Sequence, residues 1–292
     1  MIKRKTSDHV VDWAIILFLV ALMIVTLYPF VYSFLASFSD SNALMKHTGL
    51  LLSFKGFSIE AYTKVFTNKM IGIGYSNTLM YVAVGTSVNL ILTSFGAYVL
   101  SRKSFSSRHV IMFFISFTMF FGGGMIPTFL VVKGVGLYDN FWAMILPNAV
   151  NTWNLIIMRN GMSEIPESME ESARIDGAND FQILFRIMIP LSQAVMAVMI
   201  LFYAVGHWNA WFNAMLYLRS RSRFPLQLVL REILISNSVS SMTSGLPADT
   251  SAPIGESIKY ATMMVATIPV LLIYPLLQKY FVKGVMVGAI KG

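Results

Sequence analysis

The sequence predicts an all-α integral membrane protein with six transmembrane helices and a cytoplasmic helix-turn-helix loop between helices 4 and 5. Of its 292 residues, 56% are hydrophobic and only 12% are charged, about half the charged share of a soluble domain. A membrane crossing takes roughly 20 mostly apolar residues in a helix, because every backbone amide must be satisfied internally. Six stretches without Asp, Glu, Lys or Arg meet this requirement: residues 13–37, 75–100, 110–132, 140–158, 191–218 and 260–278. We expect a single membrane domain over residues 1–292.

The third of these stretches contains a weak point at Gly122, Gly123 and Gly124, with Pro127 in the next turn. In a helix interior, glycine costs about 1 kcal/mol relative to alanine, and proline removes a backbone hydrogen bond. We therefore expect a hinge or a site of close packing near the middle of this span.

The composition excludes several classes of function. The chain contains no cysteine, which rules out disulfide scaffolds, thiol catalysis and cysteine-based metal sites. The formal net charge is +8, but the basic residues are scattered between long apolar runs, which favours contact with anionic lipid over nucleic acid. The four histidines stand at no spacing that suits a metal ion, so no metal site is expected.

Positive charges predict how the chain is oriented in the membrane. Lys and Arg next to transmembrane helices favour the cytoplasmic side, and the basic run at residues 3–5 therefore places the amino terminus in the cytoplasm. The same orientation puts residues 159–190 and the carboxyl terminus inside. It leaves two long external loops, at residues 38–74 and 219–259.

The loop at residues 163–190 carries the most specific signal. Its first helix is predicted to begin near Pro166, with acidic residues in the first turns, and to end at Gly177 in a left-handed conformation. Asn179 then caps a second helix, with Gln182 as the reciprocal partner of a capping box. Such a rigid loop is suited to dock a soluble partner and to pass its motion to the membrane. A solvated connector is the alternative.

This loop resembles the EAA loop of bacterial ABC importer permeases, whose pattern is Glu-Ala-Ala, three residues, Gly, nine residues, Ile, one residue and Leu-Pro. The matching residues, with every interval retained, are Glu171-Ser172-Ala173, Gly177, Ile187 and Ile189-Pro190. The departures are Ser172 for Ala and Ile189 for Leu. The length and six-span layout are similar to the carbohydrate-uptake branch, such as the second maltose permease subunit. The ending at residues 274–292 resembles permeases for complex sugars and oligosaccharides.

The resemblance implies a set of partners in the bacterial cytoplasmic membrane. They are a homologous second permease, two ATPase subunits that bind ATP and Mg, and an external solute-binding protein. Because this chain has no Gly-x-x-x-x-Gly-Lys-Ser/Thr phosphate loop, we expect no enzyme activity and no cofactor in it. The residues expected to couple the loop to the ATPase are Glu170, Glu171, Ser172, Ala173, Asp176, Gly177, Phe181, Ile187 and Pro190.

Candidate residues for a sugar path are concentrated in the fifth span. Sugar sites combine flat aromatic faces with amide and imidazole groups. Residues of these types, including two from the fourth span, are Tyr203, His207, Trp208, Asn209, Trp211, Asn213, Asn151 and Trp153. Two alternatives stay open, because Trp and Tyr also gather at membrane interfaces and amides also join helices to one another.

The second external loop supplies candidates for contact with the binding protein. Residues 225–234 have the apolar spacing of a helix, so the loop is expected to be ordered. Its cationic candidates are Arg219, Arg221, Arg223 and Arg231. Contact of these arginines with lipid headgroups is the alternative.

The predicted function is a permease subunit of an ABC importer that forms half of the path for a sugar or oligosaccharide. An ion-coupled secondary transporter of a small polar solute is the alternative. Ion coupling usually needs an ionisable residue within the membrane, and none of the six spans contains a carboxylate. A membrane enzyme would need converging acid, base, nucleophile or metal ligands, and His207 alone cannot supply them.

Overall fold

The computed structural model describes residues 6–243 and 256–272, which are helical and contain no β-strand. The α-helices are α1 Thr6–Ser37, α2 Ser41–Met45, α3 Glu60–Thr67, α4 Lys69–Ser101, α5 Arg108–Phe117, α6 Met125–Gly134, α7 Thr152–Ser163, α8 Glu167–Ile175, α9 Asp180–Ile183, α10 Ile189–Leu191, α11 Gln193–Trp208, α12 Trp211–Tyr217, α13 Leu226–Thr243 and α14 256–272. Short 3₁₀ turns cover Phe141–Met144, Leu146–Asn148 and Arg221–Arg223, and a π turn covers Leu184–Met188. The basic run 3–5, residues 244–255 and the ending 274–292 lie outside the described residues.

Two helices in the described part of the chain are long and apolar enough to cross a membrane: residues Val11–Ser37 of α1, and α4. A third crossing results if the helical run Asp180–Leu191 and α11, which meet at 89°, form one span. Continuous helices over 110–132, 140–158 and 191–218 were expected, and the structure differs in all three. The all-helical fold is confirmed, while the count of six crossings stays a prediction.

Glycine divides the stretch 110–132 into α5 and α6. Gly124, immediately before α6, has a φ of +84°, a left-handed conformation that residues with a side chain rarely adopt. The α-helix ends at Phe117 and resumes at Met125. The glycine run therefore breaks this helix outright.

Asparagines mark the other two breaks. The side chain of Asn151 caps α7 by accepting a hydrogen bond from the Asn154 backbone N–H at 3.1 Å, so a new helix starts after the two 3₁₀ turns. Asn209 ends α11. Its carbonyl accepts a hydrogen bond from the N–H of Trp211, the first residue of α12, at 2.8 Å. Each break is thus caused by a local backbone contact.

The described residues 6–69, 232–243 and 256–268 form one compact unit. In it, Ser257 donates a hydrogen bond from Oγ to the Ser39 carbonyl at 2.8 Å and accepts one from the Ser41 hydroxyl at 2.7 Å. These bonds join α14 to the turn after α1. Phe38 in this turn contacts a group of aromatic rings: Phe34, Phe54, Phe57 and Tyr62. Residues 38–69 of the first predicted external loop are therefore ordered.

Residues 70–231 and 269–272 form the second compact unit of the described chain. Its apolar core joins α4, α7, α8, α9, the π turn and α11 through Ala97, Tyr98, Leu155, Met158, Met162, Ala173, Ile183, Met188, Met199 and Tyr203. Flexible methionine side chains fill irregular space in such cores. A Cβ atom on Gly161 in α7 would lie 2.4 Å from Cγ2 of Val195 in α11. Close approach through a small residue is typical of membrane helices.

A buried ion pair joins the end of α4 to α8. Arg102 and Glu170 are each only 7% exposed, and Nη1 of Arg102 lies 2.6 Å from Oε2 of Glu170. Arg102 also donates to the Met162 carbonyl at 3.0 Å, and the Tyr98 hydroxyl donates to Glu170 at 3.3 Å. Removing both charges from water is costly, so these extra hydrogen bonds are needed to offset the loss of hydration.

Removing one side of this ion pair is expected to destabilise the protein more than removing both. Glu170→Met leaves the Arg102 guanidinium buried without its carboxylate, at an expected cost of about 3–5 kcal/mol. The double variant Arg102→Met/Glu170→Met should recover most of this loss, because no uncompensated charge remains. Thermal unfolding of the wild type and the variants in one detergent measures the difference. If the stability losses of Arg102→Met and Glu170→Met simply added up to the loss of the double variant, direct pairing of the two residues would be contradicted.

Candidate functional site

The connecting segment, residues 163–190, consists of two capped helices around a glycine turn. Pro166 occupies the cap position before α8, one residue earlier than the first helical position expected for it. Gly177 has a φ of +83°, so α8 ends in the left-handed stop that the sequence predicts. Asn179 and Gln182 form the predicted capping box, with both hydrogen bonds at 2.9 Å.

Arg174 fastens α8 to α9. Its Nη2 lies 2.9 Å from Oε1 of Glu170, one turn back, and also donates to Oδ1 of Asp180 at the start of α9. The hydrogen bond to Glu170 contributes most to raising the pKa of Arg174. Burial by itself would raise the pKa of Glu170, but the hydrogen bonds and charges of Arg174 and Arg102 outweigh it, and the pKa is lowered. Glu170 is therefore ionised at neutral pH.

Glu170, one of the predicted coupling residues, is thus a buried part of the internal framework of this segment. The predicted coupling residues that are exposed are Glu171, Ser172, Asp176, Gly177, Phe181 and Pro190. Ala173 is buried and Ile187 is half-buried, so these two fasten the segment to the core. The sequence reasoning missed Ile175, which is 86% exposed at the end of α8. In a chain so rich in apolar residues, nothing in the sequence distinguishes Ile175 as an exposed side chain.

A polar cleft of about 200 Å³ lies between α4, α7, α11 and α12. Its lining residues are Asn89, Met144, Asn148, Asn151, Asn154, Phe202, Tyr203, Gly206, His207, Ala210 and Asn213. Five asparagines, one tyrosine and one histidine supply donors and acceptors, and none of these lining residues is acidic, lysine or arginine. The predicted path residues outside it are Trp208, Asn209, Trp211 and Trp153.

Hydrogen bonds orient His207 in the polar cleft. Asn89 donates from Nδ2 to the Asn148 carbonyl at 3.0 Å, so its Oδ1 is the acceptor for His207 Nε2, also at 3.0 Å. The network therefore assigns the proton of a neutral His207 to Nε2. Gly85 makes room for this ring, since a Cβ there would lie 2.4 Å from Nε2.

Tyr203 and Asn151 are also held by neighbouring helices. The Tyr203 hydroxyl lies 2.7 Å from Oγ1 of Thr93 and accepts a hydrogen bond from the Asn151 backbone N–H at 3.4 Å. The side-chain oxygen of Asn151 caps α7. Hydrogen bonding between helices, one of the alternatives that the sequence left open, therefore accounts for part of this polar pattern.

None of the predicted tryptophans lines the polar cleft. Trp208 is buried, with its ring centroid 6.2 Å from that of Tyr75. Trp211 lies 4.5 Å from the guanidinium carbon of Arg231, at the distance of a cation–π contact. Trp153 is 58% exposed. The aromatic faces of the cleft come from other residue types, and Arg231 is engaged within the chain.

Asn89 is the main cleft residue that the sequence reasoning missed. It is 1% exposed and lies within the 33-residue helix α4. A buried amide in such an apolar helix requires hydrogen-bond partners. The presence of an asparagine in this apolar helix could therefore have indicated a polar site, although it does not identify the hydrogen-bond partner.

The start of the second external loop is fixed by Asp139. Its Oδ1 accepts hydrogen bonds from the backbone N–H groups of Arg219 and Ser220, both at 3.0 Å, and its Oδ2 lies 3.1 Å from Nη1 of Arg223. The hydrogen bonds from Ser220 are the main reason that the pKa of Asp139 is well below its usual range. Arg223 therefore has a structural partner. The side chains of Arg219, Arg221 and Arg223 are all exposed. Helix α13 confirms the order predicted for this loop from residues 225–234.

Gly85→Ala is expected to disrupt the polar cleft, because the new Cβ would displace His207 from Asn89. We expect a loss of about 1–3 kcal/mol in stability from this overpacking. Gly72→Ala in the same helix is the matched control, since its Cβ would meet nothing within 4 Å and both changes alter helix propensity alike. Thermal unfolding of the two variants distinguishes them, and equal stability would refute the packing assigned to Gly85.

The chain matches a known family over most of its length. The sequence profile described as "Binding-protein-dependent transport system inner membrane component" matches residues 90–287. The polygalacturonan/rhamnogalacturonan transport system permease protein YtcP of Bacillus subtilis is 42% identical, over 98% of this chain and 100% of its own. Protein LplC of the same organism is 40% identical, over 98% of this chain and 96% of its own.

A solved structure has the same fold. It is the crystal structure of a bacterial ABC transporter involved in the import of the acidic polysaccharide alginate. One of its chains is 34% identical to this one, with a TM-score of 0.85 over 96% of this chain and 100% of that chain. The chain therefore belongs to the binding-protein-dependent transport system inner membrane components, the permease subunits of ABC importers, in which a separate subunit hydrolyses ATP.

Proposed function

We propose that the chain forms half of the translocation path for an oligosaccharide that an external solute-binding protein delivers. The polar cleft carries this proposal, because amide, hydroxyl and imidazole groups converge there on one volume. Sugar hydroxyls both donate and accept hydrogen bonds, and this lining offers both kinds of partner. The names of the polygalacturonan/rhamnogalacturonan permease and of the alginate importer support a sugar, and they make uronate oligosaccharides the first to test. Membership of an ABC importer family sets aside the ion-coupled alternative.

The proposed arrangement has six crossings and both termini in the cytoplasm, as the positive charges indicate. Two of the three helix breaks support it, because Asn151 and Ala210 at these breaks line the polar cleft. Irregular backbone is tolerated at membrane depth only where protein buries it or where it lines a water-filled cavity. The broken helices therefore fit the wall of a path better than a lipid-facing surface.

The connecting segment is the proposed contact with the ATPase subunits, which would hold ATP and Mg. Its outer side presents the carboxylates of Glu171 and Asp176 together with the exposed apolar side chains of Ile175 and Phe181. Its inner side is anchored to α4 by the buried ion pair. A partner that moves the outer side would therefore move the end of α4 as well. A homologous second permease would complete the path.

Arg219 and Arg221 are the proposed contacts with the external binding protein. Both side chains are exposed, and Asp139 orders the backbone that carries them. Arg223 and Arg231 have partners within the chain and are better explained as structural residues.

Purification of the chain with its partners tests the proposed function. We expect an ATPase subunit and a second permease to accompany it, and at least one oligosaccharide with its binding protein to stimulate ATP hydrolysis. The screen should include uronate oligosaccharides and neutral oligosaccharides of equal length. A purified complex without an ATPase subunit would contradict the proposal, as would an active complex that no oligosaccharide stimulates.

Gly177→Ala is expected to impair coupling, because a side chain in the left-handed conformation costs about 1–2 kcal/mol. Sugar-stimulated ATP hydrolysis and uptake should both fall, by at most about 5- to 30-fold, the factor by which this energy lowers the ratio of the native turn to a relaxed turn. Gly136→Ala is the matched control, with a φ of +76° against +83° and no atom within 4 Å of the added Cβ in either variant. Equal losses in the two variants would show general backbone strain and would refute a coupling role for Gly177.

A further inference from the structure

A second cleft, the basic cleft, lies where α4 ends, α5 begins and α7 ends. Its volume is about 320 Å³. Its charged lining residues are Arg102, Lys103, Arg108, Arg159, Glu164 and Glu167. None of its four cations was predicted to belong to the sugar path or to the ATPase contact, so their grouping requires an explanation of its own.

Two of the four cations have carboxylate partners. Arg102 is paired with Glu170 at 2.6 Å in the buried ion pair. Lys103 lies 3.3 Å from the carboxylate of Glu167, and both of these side chains are well exposed. The charges of these residues are balanced within the chain.

Arg108, Arg159 and Glu164 form no ion pair within the part of the chain that the structure describes. Hydrogen bonds from Arg159 Nε to the Leu100 carbonyl at 3.2 Å and from Nη1 to Asn160 Oδ1 at 3.0 Å hold its guanidinium in place. Nη2 of Arg159 then stays available for a ligand. Two guanidiniums and one carboxylate leave the basic cleft with a charge of +1.

This charge and its location favour the phosphodiester of a lipid headgroup. A phosphodiester carries one negative charge, and guanidinium groups bind phosphate oxygens through paired hydrogen bonds. Helix α5 begins at Arg108 and has no buried residue. Its side chains Val110, Phe113 and Phe114 are 59%, 64% and 62% exposed. An acyl chain along this apolar surface would place its headgroup at the basic cleft.

We propose that Arg108 and Arg159 bind the phosphodiester of an anionic glycerophospholipid at this cleft. The apolar surface of α5 distinguishes this ligand from free phosphate, which would gain nothing from it. Basic pockets at the ends of membrane helices are known to select anionic headgroups. The site is separate from the polar cleft and does not depend on the identity of the sugar.

The test uses the full chain, purified with its partner subunits and reconstituted in nanodiscs of phosphatidylglycerol and phosphatidylcholine. Lipids that stay bound after transfer to detergent are counted by mass spectrometry. We expect the wild type to retain phosphatidylglycerol selectively, and Arg108→Gln/Arg159→Gln to reduce its retention roughly thirtyfold, the factor for two cations near an anionic headgroup. Lys69→Gln/Lys133→Gln removes two exposed cations elsewhere and should leave retention unchanged.

A gain-of-function variant keeps the proposal falsifiable even if the double arginine variant folds poorly. Glu164→Gln raises the charge of the basic cleft to +2 and is expected to increase phosphatidylglycerol retention. Equal retention by the wild type, Glu164→Gln and the double arginine variant would overturn the proposal. Displacement of the lipid by millimolar inorganic phosphate would identify a soluble phosphate site instead. Loss of the ATPase subunit from the arginine variant, with lipid retention unchanged, would assign the cleft to a protein interface.

Discussion

The buried ion pair between Arg102 and Glu170 is the constraint on which the connecting segment depends. Glu170 comes from the polar helix α8 and Arg102 directly follows the apolar helix α4, and their contact fixes α8 against the end of α4. Apolar packing around it is rich in methionine, which adapts to many shapes and specifies position weakly. Arg174 extends the network across the turn at Gly177 to Asp180. Charge pairing thus determines where the turn lies, and packing then fills the space.

Helix α4 connects this ion pair to the polar cleft. Asn89 lies in the uninterrupted helix α4, and Arg102 directly follows its last residue, Ser101, about 20 Å along the helix axis from Asn89 at 1.5 Å per residue. Asn89 binds His207 and Thr93 binds Tyr203, so α11 is fixed to the same helix. A displacement of α8 would therefore reach the cleft through rigid elements. Under the proposed function, this route links ATP hydrolysis to the sugar path.

Small and polar residues do in this protein what large apolar residues do in soluble cores. Lipid offers no hydrophobic drive for one apolar helix to pack on another, so close contact and hydrogen bonding specify the arrangement. The missing side chain of Gly85 admits the His207 ring, and that of Gly161 admits Val195. The ring then reaches Asn89, whose side-chain oxygen would otherwise be buried without a hydrogen-bond donor. The hydrogen bond between His207 and Asn89 thus depends on the room that Gly85 leaves for the ring.

The class of the protein, its family and the local form of the connecting segment were predictable from the amino-acid sequence. Long apolar stretches without charged residues indicate a membrane protein. The motif from Glu171 to Pro190 spans a turn whose hydrogen bonds join residues that are close in the sequence. The capping box at Asn179 and the left-handed Gly177 were predictable for that reason. The glycine run at 122–124 likewise predicted a weak point in the helix, but it did not predict a complete break.

Which side chains face inward is visible only in the three-dimensional structure. Glu170 is buried and its neighbour Glu171 is exposed, because consecutive helical residues point about 100° apart and the partner Arg102 is 68 residues away. The polar cleft also depends on residues far apart in the chain, such as Asn89 and His207. Trp208 and Trp211 lie outside the cleft, where they contact Tyr75 and Arg231. Local bonds are encoded in a few residues, whereas burial and pairing depend on which helix faces meet.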